Sequence, residues 1–166
     1  MPPETTKRPL SAPARATRWL THDQEMAWRS IAKMMVTLPW ALECQLQRDA
    51  GLSFIEYHVL ARLSEDANHT LRMSELAALT NASLSRLSHL VKRLEARGLI
   101  RREPDPRDGR FTNAIMTKAG YALLVASAPA HVENVRALVI DAFNASELRQ
   151  LRDACDRLLA CIEGAN

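Results

Sequence analysis

Residues 71–110, LRMSELAALTNASLSRLSHLVKRLEARGLIRREPDPRDGR, decide the fold. Apolar positions recur there at helical spacing in two runs separated by the short stretch TNA, and then alternate as they do in strands. Ser74 reads as the N-cap of a first helix carrying Leu76, Ala77 and Leu79. Ser83 reads as the cap of a second, which sets Leu84, Leu87, Leu90, Val91 and Leu94 on one face and stops at Gly98. Beyond that glycine, LIRREP and FTNAIM read as two strands joined by DPRDG, where Asp108-Gly109 is a strong hairpin turn signal.

Charge concentrates in the same region. Between Ser83 and Arg110 eight basic residues (Arg86, Lys92, Arg93, Arg97, Arg101, Arg102, Arg107, Arg110) face four acids, a local charge of +4. The whole chain carries +3, so everything else sums to −1. A basic patch on a nearly neutral remainder is the footprint of a polyanion binder.

Working outward, residues 1–18 are rich in Pro, Ala, Thr and Arg without apolar period, which predicts a flexible tail. From about His22 to Arg48, Trp28, Ile31, Met35, Leu38, Leu42 and Leu46 form one helical stripe, and Val36 and Trp40 make the helix apolar on a second side. Pro39 inside it removes a hydrogen bond and bends it. Gly51 ends that helix, and Ser53 with Glu56 forms a capping box for the next, which ends near Asp66. TLRM (70–73) resembles a short strand. After Thr117 the helical period returns at Leu123, Leu124, Val135, Leu138, Val139 and Phe143, interrupted by Pro129. Asn144 and Glu147 repeat the capping box before a last helix with Leu148, Leu151, Leu158, Leu159 and Ile162 as its apolar positions.

The predicted order is α-α-β-α-α-β-β-α-α: mainly helical with a small β-hairpin, a winged helix-turn-helix. At 166 residues and 47% hydrophobic, the chain suits a single domain over 19–166, with the winged lobe at about 52–116 and flanking helices at about 19–49 and 117–163. Both flanking regions carry surplus apolar surface, which predicts a two-fold dimer through the terminal helices. No unbroken run of ~20 apolar residues is present and the N-terminus lacks the apolar stretch of a secretory signal, so no membrane partner is expected and a cytoplasmic location is.

Such a fold lays its second helix in a major groove of double-stranded DNA and its hairpin against the neighbouring backbone or minor groove. The apolar face of the Ser83 helix leaves Ser85, Arg86, Ser88, His89, Lys92 and Arg93 outside. Ser83 and Ser85 suit phosphate, Arg86 suits a bidentate contact to guanine, and His89 suits a base or a phosphate. Arg107 and Arg110 flank the wing turn, with Asp108 placed to orient an arginine or shape the turn.

The chain from about Trp28 to Ile162 resembles the MarR-type (multiple-antibiotic-resistance) regulators. The resemblance rests on GLSFIEYHVLARL, on residues 71–110 with RLEARGLI and the wing's Asp108-x-Arg110, and on MTKAG. It implies a homodimer on a palindromic operator, usually a repressor, often released by a small aromatic or phenolic ligand. It also carries DNA contact onto Ser85, Arg86, His89 and Arg110. His89 stands where the family often has arginine, and Met116 where it often has leucine.

Other residues admit further readings. His22, Trp28, Met35 and Trp40, with Trp19, Met26 and Met34, form either an effector pocket or ordinary core and dimer interface, the second being the more usual role of such residues. Cys44, Cys155 and Cys161 make no C-x-x-C pair; buried, inert thiols are expected, with a thiol-based redox-sensing regulator as the alternative. The five histidines show no H-E-x-x-H and the five glycines no phosphate loop, so neither an enzyme nor a metal or cofactor site is expected. An architectural, non-sequence-specific DNA binder is the further alternative. The predominance of Arg over Lys fits a GC-rich bacterial source.

Overall fold

The computed structural model describes residues 17–164; the tail expected over 1–18 lies almost wholly outside them. The chain divides into two compact units, Met1–Met35 and Val36–Asn166, with the division inside the first helix, α1 (His22–Ala50). In the first unit, Thr21 opens the helix. Its N–H donates to Gln24 Oε1 at 3.0 Å while the Gln24 N–H reaches Thr21 Oγ1 at 3.4 Å, a reciprocal pair in the manner of a capping box. None of its described residues is buried, and Trp19, Met26, Trp28, Met34 and Met35 are exposed.

The second unit contains the rest of α1, then α2 (Phe54–Glu65), β1 (Thr70–Arg72), α3 (Met73–Leu79), α4 (Leu84–Ala96), β2 (Ile100–Pro104), β3 (Thr112–Met116), α5 (Lys118–Leu138), a 3₁₀ turn (Ile140–Ala142) and α6 (Ala145–Glu163). The predicted order holds, with the 3₁₀ turn added. Both predicted capping boxes form: Ser53 with Glu56 on α2, Asn144 with Glu147 on α6. The three strands make one antiparallel sheet in the order β1-β3-β2, with Arg72 opposite Asn113 and Glu103 opposite Asn113 from the other side.

Leu52, Val59, Leu60, Leu63, Leu76, Leu87, Val91, Leu94, Ile100 and Ala114 are the innermost side chains of the lobe core. Each large apolar side chain so buried is worth about 1.5–3 kcal/mol, which is why these short helices hold together around one centre. Among the described residues four are left-handed, and two of them bound α4. Asn81 (φ 48) turns α3 into α4, a role short polar side chains tolerate. Gly98 (φ 71) ends α4, with the Leu99 N–H closing back on Leu94 O at 3.0 Å.

Several expectations change. Ser74 does not cap α3: the helix starts two residues earlier than that cap implies, with Arg72 at its N-cap and no side-chain cap bond, because β1 runs directly into it. Pro129 does not interrupt α5, which continues to Leu138. A proline frees only one carbonyl there, that of Val125, whose residue is exposed to solvent. The hairpin is not a tight Asp-Gly turn. Gly109 keeps an ordinary φ, and the tip spans residues 105–111, closed by the Asp105 N–H on Phe111 O at 2.9 Å. Cys44, Cys155 and Cys161 are exposed rather than buried; Cys155 shares the α6 stripe of Leu151, Leu158 and Leu159, a helix with no buried residue. Finally, the stretch Lys118–Ala142 is long and apolar enough by mean hydropathy (1.3) to cross a membrane, although Glu133 and Arg136 break any continuous apolar run.

Candidate nucleic-acid interface

The two elements that form the interface are locked together before either could meet a ligand. Arg102 of β2 donates to Glu95 of α4 through its backbone N–H (3.0 Å), Nε (3.0 Å) and Nη2 (2.7 Å), and these bonds hold the Glu95 carboxyl below its usual range. At the far side of the hairpin, Thr117 caps α5 by accepting the Gly120 N–H at 3.0 Å and donates to Gly98 O at 2.7 Å. Gly120 presses so closely on the chain that a Cβ there would lie 2.2 Å from Leu99 O. That approach explains the glycine in MTKAG.

On α4, Leu87, Leu90, Val91 and Leu94 are buried as predicted. Leu84 is not: it is 54% exposed, because the first turn of α4 projects past the core. It joins the outer surface with Ser83, Ser85, Arg86, His89 and Lys92, all exposed, while Ser88 is half-buried. The Ser83 hydroxyl oxygen accepts the Arg86 N–H at 3.3 Å and so fixes the helix start.

Arg93 is held differently from the other predicted contacts. Its Nε donates to Glu56 at 3.4 Å, and Arg97 approaches the other oxygen of the same buried carboxylate at 3.7 Å. Glu56 also receives the Ser53 N–H at 2.9 Å, so it ties the start of α2 to the end of α4. Of the eight cations counted in the sequence, Arg93, Arg97, Arg101, Arg102 and Arg110 are ion-paired. Arg86, Lys92 and Arg107 carry no ion pair among the described residues. These unneutralised cations lie on the outer face of α4 and on the wing.

At the wing tip Asp108 grips Arg110 with both carboxylate oxygens, at 3.0 and 2.6 Å, and also accepts the Arg110 N–H at 3.1 Å. The guanidinium beside it is the main reason the Asp108 carboxyl sits below its ordinary value, and Arg110 is correspondingly raised. The pair leaves the Arg110 side chain 85% exposed. A shallow groove of about 250 Å³ runs between α4 and the wing, lined by Met73, Leu84, Ser88, Arg102, Arg110 and Phe111 among others. Leu84 and Phe111 went unassigned to the surface in the sequence because an apolar residue at helical or strand spacing reads as core.

The residues named as a pocket are placed along α1. His22, Trp28 and Met35 belong to the first unit and are exposed. Trp40, in the second, borders an open groove of about 660 Å³ with Pro39, Glu43, Cys44, Gln47 and Arg48. Among the described residues no group of three or more His, Cys, Asp or Glu side chains could hold a metal ion.

The MarR family model matches residues 50–110, from the last residue of α1 to the wing arginine Arg110. The HTH-type transcriptional regulator PecS of Dickeya dadantii is 32% identical over 108 residues, 64% of this chain; the match spans 64% of the length of PecS, just under two thirds. Among solved structures, Sco3205 of Streptomyces coelicolor, a MarR family transcriptional regulator in complex with DNA, is 40% identical over 89% of this chain and 91% of its own, with a TM-score of 0.84. AbsC, a MarR family transcriptional regulator of the same organism, is 37% identical over 89% of this chain and 99% of its own, with a TM-score of 0.85.

Proposed function

The chain belongs to the MarR family of transcriptional regulators, a family without enzymatic activity, and from that premise we propose that it binds a palindromic operator in double-stranded DNA as a cytoplasmic homodimer and represses transcription there. The observation that carries this reading is the placement of the unpaired cations Arg86 and Lys92 on the outer face of α4, with Arg107 on the wing beside it. An exposed recognition helix with free arginine suits base edges, and a wing with exposed arginines suits phosphate or a narrow minor groove. Ser83, Ser85, Ser88 and His89 complete the helix surface, and Leu84 adds methyl groups suited to a thymine. Arg93 and Arg110 stay exposed while paired to Glu56 and Asp108, and both belong to the proposed contact surface as partly neutralised cations.

The single domain over 19–166 includes the helices that would make the dimer. Leu158, Leu159 and Ile162 of α6 are each at least half exposed, an apolar stripe that a second copy would cover. The apolar surface of Lys118–Ala142 has the same explanation in this reading, dimer contact rather than membrane. Two-fold pairing spaces the two recognition helices by about one DNA turn, ~34 Å. A small aromatic or phenolic effector near Trp40 would act by binding two dimer states with different affinity.

The test is binding to the DNA flanking the chain's own gene against a scrambled duplex of equal length across a salt series. A preference of roughly 10³-fold or more is expected. Equal, salt-sensitive binding to both, and to every duplex selected from a random pool, would instead indicate an architectural protein.

A further inference from the structure

The wing tip is held from outside by a residue of the sheet's opposite edge. Arg72 lies on β1, 33 residues before Asp105, and its Nε donates to Asp105 Oδ2 at 2.7 Å. Asp105 is buried and stands at the first position of the tip; its other oxygen accepts the Arg107 N–H at 2.8 Å, and its own N–H closes the loop on Phe111 O. The Arg72 guanidinium also lies over the Phe111 ring, 4.6 Å from its centroid, at the last position of the tip. One side chain therefore touches both ends of the loop that displays Arg107 and Arg110. Register supports the placement, because β1 pairs with β3 and sets Arg72 opposite Asn113, next to the strand that leaves the tip.

We propose that Arg72 is a positioning residue for DNA binding: by bridging Asp105 and Phe111 it fixes residues 105–111 in the shape that presents Arg107 and Arg110, without itself contacting DNA. This rests on the function proposed above. The Arg72 cation is engaged on both sides, by a buried carboxylate and by an aromatic face, and the charges it sets out for a ligand are those of its clients. Removing it takes away the side-chain link between the two ends of the tip, leaving the Asp105 N–H on Phe111 O to join them, and Asp105 loses its charged partner while keeping the Arg107 N–H.

The experiment is a mutant cycle. Wild type, R72A, D105N, R107A/R110A and R72A/R107A/R110A are titrated by fluorescence anisotropy, over a salt series, with a duplex selected by the wild-type protein from a random-sequence pool. Arg72→Ala and Asp105→Asn should each weaken binding roughly tenfold and lower the salt slope toward that of R107A/R110A. In the R107A/R110A background Arg72→Ala should add less than about twofold, because there is nothing left to position. Fully additive losses would mean that Arg72 touches phosphate itself or that the lobe is damaged, and either overturns the proposal, as does wild-type binding by R72A. Amide hydrogen exchange in the free protein gives a readout that needs no DNA. The Arg107 and Phe111 amides should exchange faster in R72A while the α4 amides stay protected, and unchanged exchange at the tip overturns the proposal. Failure to select any preferred duplex would count against the operator reading alone.

Discussion

Helices α4 and α6 carry the same kind of sequence signal and meet opposite fates. Both have a capped start and an apolar stripe at three- and four-residue steps, Leu87, Leu90, Val91 and Leu94 on one, Leu151, Leu158, Leu159 and Ile162 on the other. The α4 stripe is at most 4% exposed, whereas α6 has no buried residue and its last three apolar positions are 50–58% exposed. Periodicity therefore reports that a helix has an apolar face, and says nothing of what covers it. For α4 the cover is the lobe's own core. For α6 it is, in the proposed dimer, another copy.

The sharpest break of this comparison is a truncation on each stripe. Leu90→Ala removes buried methyl groups from a core that a single chain completes, and should cost about 2–5 kcal/mol, a loss of the same size at every protein concentration. Leu159→Lys leaves a single chain almost untouched but places a charge in the proposed interface. It should cost roughly 1.5–3 kcal/mol per protomer of association and shift sedimentation toward monomer at low concentration. If Leu159→Lys instead lowers stability regardless of concentration, α6 is covered within the chain and the contrast with α4 fails.

The polar faces of the same two helices sharpen the comparison. Arg86 of α4 is unpaired, while Arg152 of α6 is bound to its neighbour Asp153 at 2.8 Å. Arg86→Ala should weaken operator binding by about 1–3 kcal/mol and relax preference at particular base pairs. Arg110→Ala should weaken binding to all sequences alike and reduce the salt slope by ~1, and Arg152→Ala should change neither. A base-specific loss from Arg110 and a uniform one from Arg86 would exchange their roles.

What the sequence disclosed follows the same division. Most local signals hold: the capping boxes at Ser53 and Asn144, the stop at Gly98 and the order of elements all depend on a few adjacent residues, and among the predicted caps only Ser74 fails. Long-range consequences were not legible. Arg93 reads as an outward cation on α4, and only the fold brings it to Glu56, 37 residues away. The Asp-Gly pair signals a tight turn, but Asp105 draws in Arg72 and two backbone bonds, and a longer tip results. Leu84 counts as core by spacing and is surface by position, since a helix's first turn can overshoot the core it packs on. The sequence thus names the candidate residues, while the division of their cations into free and engaged comes from tertiary contact.

The smallest expected effect lies at the seam where the lobe meets the longer helices. His131 of α5 has Nδ1 3.2 Å from Gln45 Oε1 of α1, and its ring centroid is 4.4 Å from that of Tyr57 of α2. Burial disfavours the charged ring and holds its pKa below the usual 6.5. The unfolded chain therefore takes up the proton first as pH falls. The stability this histidine contributes is complete above 6.5 and is lost as pH drops through that value toward the lower folded one. Wild type should accordingly show a lower urea midpoint at about pH 5.5 than at about pH 7.5. His131→Gln, which keeps an amide partner for Gln45 and cannot titrate, should flatten part of that difference. His58, whose pKa is also lowered by burial, acts in the same direction. A wild-type midpoint that rises on acidification would mean that the ring gains a partner when charged. The seam would then be a site of electrostatic attraction rather than of desolvation, unlike the apolar packing that finishes α4.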